Sequence, residues 1–127
     1  LLLGPRRTGK SALIRHQVKA DKVYNLLRAD EFRRLSARPQ LIRESLRPED
    51  RLIVIDEIQK LPSLLDEVHL MIEEHDLRFL LTGSSARKLR RTYTSLMAGR
   101  AHPRRFCPFV SAELKDFDLS TRLLYGM

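Results

Sequence analysis

Eight residues near the start of the chain carry the clearest chemistry: Gly4-Pro5-Arg6-Arg7-Thr8-Gly9-Lys10-Ser11. Their spacing is G-x-x-x-x-G-K-[ST], and each residue type has a physical reason to be there. Glycines at both ends permit backbone angles that a side chain forbids. Successive N–H groups can then point inward and surround the oxygens of a phosphate. A helix starting near Lys10 adds its positive N-terminal end. Lys10 reaches the outer phosphates of a nucleotide as a point charge, and Ser11 offers a hydroxyl to Mg²⁺. The candidate cradle is therefore Gly4, Pro5, Arg6, Arg7, Thr8, Gly9, Lys10, Ser11 and Ala12. Arg6 and Arg7 are either phosphate contacts or solvated loop residues.

A second cluster closes the run Leu52-Ile53-Val54-Ile55-Asp56-Glu57. Two adjacent carboxylates at the end of a buried strand are costly unless a cation sits beside them. A magnesium-bound nucleotide supplies that cation, held by Asp56 together with Ser11. Glu57, one residue on, is placed to polarise a water as a general base. A third run, Leu80-Leu81-Thr82-Gly83-Ser84-Ser85, ends in hydroxyls. In an open parallel sheet ligands sit at the carboxyl ends of strands, so Thr82, Ser84 or Ser85 is available to a phosphate or to the attacking water. Capping of the next helix is the competing use of the same hydroxyls.

These three groups need a scaffold that brings their strand ends together. Apolar runs alternate with helical patterns along the chain, which predicts βαβ units around a parallel sheet. Strands are expected at Leu1–Leu3, Lys22–Leu26, Arg51–Ile58, Leu77–Leu81 and Arg104–Phe109. The third is nearly all apolar and β-branched, so it belongs in the centre, buried on both faces. Helices are expected from Lys10 to about Ala20, over Asp30–Leu46 with an interruption at Pro39, and from Pro62 to His75. In the last, Leu61, Leu64, Leu65, Val68 and Ile72 recur at three- and four-residue spacings. Shorter helical patterns cover Ser85–Arg91 and Ser111–Phe117. The fold class is α/β: a three-layer sandwich with a mostly parallel sheet of about five strands.

Composition narrows the alternatives. The chain has 127 residues, 43% of them hydrophobic, enough for one core. No run approaches the roughly 20 apolar residues that span a bilayer, so no membrane role is expected, and a cytoplasmic location fits. A single cysteine, Cys107, excludes an internal disulfide framework. His16, His69, His75 and His102 share no metal-ligand spacing. Net charge is +8, and residues 84–106 hold +7 of it: Arg87, Lys88, Arg90, Arg91, Arg100, Arg104 and Arg105, with no acid. Such a segment attracts polyanions, nucleic acid included, or is a solvated or covered face.

The motifs GPRRTGKS, LIVIDEIQKLP, FLLTGSSARKL, LMAGR and P-x-x-x-x-E-L, in this order, resemble bacterial and archaeal AAA-type ATPases of the AAA_14 group. The most specific part is Asp56 to Pro62, DEIQKLP, which exceeds a generic Walker B motif. The resemblance implies a P-loop NTPase core of five strands, with one extra strand between the Walker A and Walker B strands. It implies ATP and Mg²⁺ as ligands. It maps Gly9, Lys10 and Ser11 to Walker A, Asp56 and Glu57 to Walker B, Ser84 to the sensor-1 position, and Arg100 to an arginine sensor or finger. Gln59 belongs to the same signature without an assigned role. The family often reads P-L-S-F where this chain has Pro108-Phe109-Val110-Ser111. By the same comparison residues 1–127 are expected to be an ATPase core cut short at its N-terminus and lacking the C-terminal region of such proteins.

The expected function is Mg-dependent binding and hydrolysis of ATP, with Glu57, Ser84 and Arg100 as catalytic residues. Two other readings compete. One is an ATP-dependent conformational switch with little turnover; for either reading the family resemblance implies a nucleotide-dependent homo-oligomer. The other is a nucleic-acid-associated module using the basic 87–105 segment.

Overall fold

The computed structural model of the protein describes residues 1–5, 8–84 and 102–105. In chain order the elements are β1 (Leu2–Leu3), α1 (Lys10–Gln17), β2 (Lys22–Asn25), α2 (Ala29–Ala37), α3 (Leu41–Glu44) and β3 (Leu52–Asp56). A 3₁₀ turn (Ile58–Lys60), α4 (Leu64–Glu74), β4 (Arg78–Gly83) and β5 (Arg104–Arg105) follow. The interruption expected at Pro39 is real. Arg38, the residue before it, sits at φ −139° and ψ 85°, because the proline ring excludes its neighbour from the helical region. The chain turns over three residues and resumes as α3.

The five strands form one all-parallel sheet in the order β2-β3-β4-β1-β5. The apolar, β-branched β3 lies inside it, between β2 and β4, as its composition requires. Pairing register fixes which side chains share a face. Val23 lies beside Val54 and Asn25 beside Asp56, while Tyr24 lies beside Ile55. Tyr24, Ile53 and Ile55 join Leu35, Ile42, Leu64, Leu65, Val68 and Met71 in the main core, so α2, α3 and α4 cover that face. Val54 and Ile14 are buried outside this cluster, on the face that α1 covers. The layers are thus α1, the sheet, and α2–α4. Met71 joins the buried stripe of α4, one position the apolar spacing did not single out.

Several element ends differ from expectation by one to three residues, and three of them have a clear local reason. Helix α1 stops at Gln17, short of Ala20, because Val18 is already extended at φ −100° and ψ 120°. Strand β3 stops at Asp56 rather than Ile58, because Glu57 turns left-handed. Strand β4 continues past Leu81 to Gly83 because β1 pairs with its end: Leu2 lies beside Thr82 and Leu3 beside Gly83. The expected helices at Ser85–Arg91 and Ser111–Phe117, and residues 106–109 of the expected last strand, lie outside the described residues.

The amino ends of β2 and β3 are clamped by one side chain. Asp21 Oδ2 accepts the N–H of Arg51 at 2.7 Å and that of Leu52 at 2.8 Å. These two donors, Leu52 first, hold the Asp21 carboxyl below its ordinary value near 3.8. A lowered folded value means the clamp stabilises the protein fully above that ordinary value and is lost as pH falls through the lower folded one. Asp21→Asn is therefore expected to lower the melting temperature at neutral pH, and the gap to the unaltered protein should narrow on acidification. Thermal melts across pH 2–6 check this, and a gap that stays constant would exclude the clamp as its source.

Candidate functional site

Because every strand runs the same way, their carboxyl ends share one rim. The loop after β1, the acids ending β3 and the hydroxyls ending β4 converge there. Gly4 prolongs β1: its N–H donates to Gly83 O at 3.2 Å. It does not take the positive φ that the glycine pattern suggests, because it is still part of this ladder. Among the described residues Gly9 is the one glycine with positive φ, at 92°. There a Cβ would meet the following carbonyl, and Gly9 can thus open α1 directly. Its own carbonyl accepts the N–H of Leu13 at 2.9 Å.

Lys10, the first residue of α1, is 5% exposed. A buried ammonium needs partners, and the loop supplies them. Lys10 Nζ donates to the carbonyls of Gly4 (2.7 Å) and Pro5 (2.6 Å) and to Thr8 Oγ1 (3.4 Å). Thr8 in turn donates its hydroxyl to Pro5 O at 2.8 Å. The lysine thus sits inside the loop it belongs to, with all three donors engaged. Ala12 is exposed one position beyond Ser11. Like Lys10 and Ser11 it lies in the first turn of α1, where N–H groups lack intrahelical acceptors.

Ser11 and Asp56 meet across the rim. Ser11 Oγ donates to Asp56 Oδ2 at 2.9 Å. Asp56 is 3% exposed, and its other oxygen, Oδ1, accepts the hydroxyl of Thr82, which is fully buried. Thr82 Oγ1 also accepts the N–H of Glu57 at 3.2 Å. Thr82, one of the hydroxyls open to a phosphate on sequence grounds, is therefore a brace between β4 and the acidic pair. An open cleft of about 340 Å³ runs from Ser11 and Asp56 past Ile14 and Arg15 of α1 and Asn25 of β2.

Glu57 is 8% exposed and adopts φ 62° and ψ 46°, the left-handed region. For a residue with a Cβ this costs roughly 1–2 kcal/mol. Bonds on both sides hold it: the N–H to Thr82, and its carbonyl, which accepts the N–H of Lys60 at 3.0 Å. Fully buried Ile58 anchors the 3₁₀ turn that follows. The turn carries Gln59 back beside Glu57. Ser84 Oγ donates to Glu57 Oε2 at 3.0 Å. Gln59 Nε2 donates to the same Oε2 and to Ser84 Oγ, the latter at 3.0 Å. Glu57 and Ser84, expected to act together, are thus in direct contact. Gln59 is the residue whose place sequence reasoning missed. The signal available was its spacing, two residues after the second acid.

Arg6, Arg7 and Arg100 lie outside the described residues, as does most of the basic segment. Its described end, His102 to Arg105, is exposed at the β5 edge of the sheet. Among the described residues no cluster of three or more His, Cys, Asp or Glu is placed to hold a metal. None of their helices is long and apolar enough to cross a membrane.

Comparison with known proteins agrees with this geometry at the level of family. A family model described as an AAA domain matches residues 1–115. No curated protein and no solved structure gives a significant match.

Proposed function

The chain belongs to the AAA domain family, a family of nucleotide-binding ATPase domains, and from that premise we propose that it binds Mg·ATP at the rim of the sheet and hydrolyses it. The observation that carries this reading is the Ser11–Asp56 hydrogen bond of 2.9 Å, joining the phosphate loop to the acidic strand end. It brings a loop built for phosphate, a hydroxyl–carboxylate pair and a second carboxylate into one place.

The donor set fits magnesium. Ser11 Oγ and Asp56 Oδ2 are hard oxygen ligands already close together, and Mg²⁺ needs only one or two protein ligands besides phosphate oxygens and water. When bound, the ion would neutralise charge on the β- and γ-phosphates. Lys10 would exchange the carbonyls of Gly4 and Pro5 for phosphate oxygens, staying inside the loop. The N–H groups at the start of α1 would complete the cradle. Thr82 would keep Asp56 aimed at its ligand. Glu57 would accept the proton of the attacking water, and Ser84, against it, would be near enough to touch that water or the phosphate. Arg100 would stabilise the charge of the transferring phosphoryl group, a role worth about 10³- to 10⁵-fold in rate.

The test is phosphate release from Mg·ATP with bound nucleotide quantified in the same samples. Release together with binding supports the hydrolase. Binding without release supports an ATP-dependent switch, and no binding overturns both.

A further inference from the structure

Gln59 is unusually constrained for a half-buried glutamine in a turn. Its Nε2 faces two acceptors at once, Glu57 Oε2 and Ser84 Oγ. Its Oε1 is fully buried and finds no donor among the described residues. Leaving a buried carbonyl oxygen unpaired is unfavourable, and such groups in a native fold call for a reason. Rotating the amide would not relieve it. Oε1 would then face the carboxylate of Glu57, acceptor against acceptor. The amide is fixed by what Glu57 requires and not by its own full satisfaction.

The consequence falls on Glu57. Oε2 receives two donors, the Gln59 amide and the Ser84 hydroxyl, while Oε1 receives none from the described residues. The two oxygens of one carboxylate are therefore chemically distinct: one is tethered, the other is open.

We propose that Gln59 is a positioning residue for hydrolysis, its amide pinning Oε2 of Glu57 so that Oε1 takes the proton of the attacking water. This rests on the reading of Glu57 as the base. In the step, an O–H bond of water breaks and its proton passes to Oε1. The water oxygen bonds to the γ-phosphorus. The bond from that phosphorus to the β–γ bridging oxygen breaks, and its electron pair stays on ADP. Ser84 can turn its hydroxyl from Glu57 to a phosphate oxygen during the cycle. Gln59 donates to Oε2 directly, so it is the tether that remains when Ser84 turns away.

A double-mutant cycle tests this, using Gln59→Met, Glu57→Gln and the pair, with kcat, KM and ATP binding measured for each. Gln59→Met removes the donor while filling similar space. It should lower kcat about 10- to 100-fold, the scale of one hydrogen bond to a charged group. KM and ATP affinity should stay within about twofold, because a tether on the base acts on the transition state alone. In the Glu57→Gln background the same substitution should change residual turnover by less than about twofold, since there is no base left to position. Gln59→Glu, isosteric but presenting an oxygen to Glu57, should lose turnover similarly, and covers the case in which Gln59→Met disturbs the turn. Multiplied losses in the double variant, or a normal kcat in both Gln59 variants, would overturn the inference. Normal turnover in Glu57→Gln, or none in the unaltered protein, would instead overturn the reading of Glu57 beneath it, and the inference with it.

Discussion

Glu57→Gln is expected to convert the protein into a nucleotide trap: phosphate release falls by about 10²- to 10⁴-fold, the range for loss of a general base, while ATP stays bound. The substitution is nearly isosteric, so the left-handed backbone at φ 62° and the bond from its N–H to Thr82 are kept. An amide oxygen can still accept from Ser84. What disappears is an oxygen basic enough to hold a water proton. The contacts proposed for phosphate and Mg²⁺ come from Lys10, Ser11 and Asp56, none of which changes. Loss of roughly 3–5 kcal/mol of transition-state stabilisation with unchanged affinity is the pattern to look for, measured by single-turnover release and equilibrium binding. Release at the normal rate would show that another group activates the water.

Lys10→Ala should act on the other half of the problem and abolish binding rather than chemistry. Its ammonium holds three oxygens of its own loop, at 2.6 Å, 2.7 Å and 3.4 Å. Removing it therefore leaves the loop without its internal cross-link as well as without its charge for the phosphates. With two charge-assisted hydrogen bonds lost, each worth about 1.5–3 kcal/mol, affinity for ATP should fall by at least about 100-fold. Titration with a fluorescent ATP analogue reads this directly. Lys10→Met, which keeps the buried stem, separates the two contributions: it should bind as poorly as Lys10→Ala but melt closer to the unaltered protein. Retained affinity in both would mean that the loop is not the phosphate site.

Much of this site is legible in the sequence because its chemistry dictates residue type. Only glycine sits easily at φ 92°, so Gly9 announces itself. The run Leu52–Asp56 reads as an interior strand because both its faces are apolar, and the acids at its end then stand out. The break at Pro39 follows from the ring geometry of one residue. The brace from Thr82 to Asp56 is different. It joins residues far apart in the chain, and a threonine ending a strand looks the same whether it caps a helix, touches ligand or holds a carboxylate. Gln59 was visible only as part of a recurring string. Its contact with Glu57 depends on the left-handed turn at Glu57, a backbone state that its side chain does not advertise. Helix α1 ends three residues early for a like reason: Val18 is already extended, a backbone state its side chain does not advertise.

The order of strands in the sheet also governs when the protein can become itself during synthesis. β1 precedes β4 and β5, the strands it pairs with among the described residues, so Leu2 waits for Thr82, about 80 residues behind it. At roughly 5–20 residues per second that is on the order of 4–16 s of translation. β2 and β3 can pair meanwhile, but the phosphate loop hangs from a strand whose partners β4 and β5 are still to come. Thr82 and Ser84, which brace Asp56 and Glu57, emerge from the ribosome together with that missing partner. A nascent chain therefore passes from having no site to having the loop, the acids and their braces over a handful of residues. Nucleotide present at that moment would stabilise only chains whose β1 has found its place.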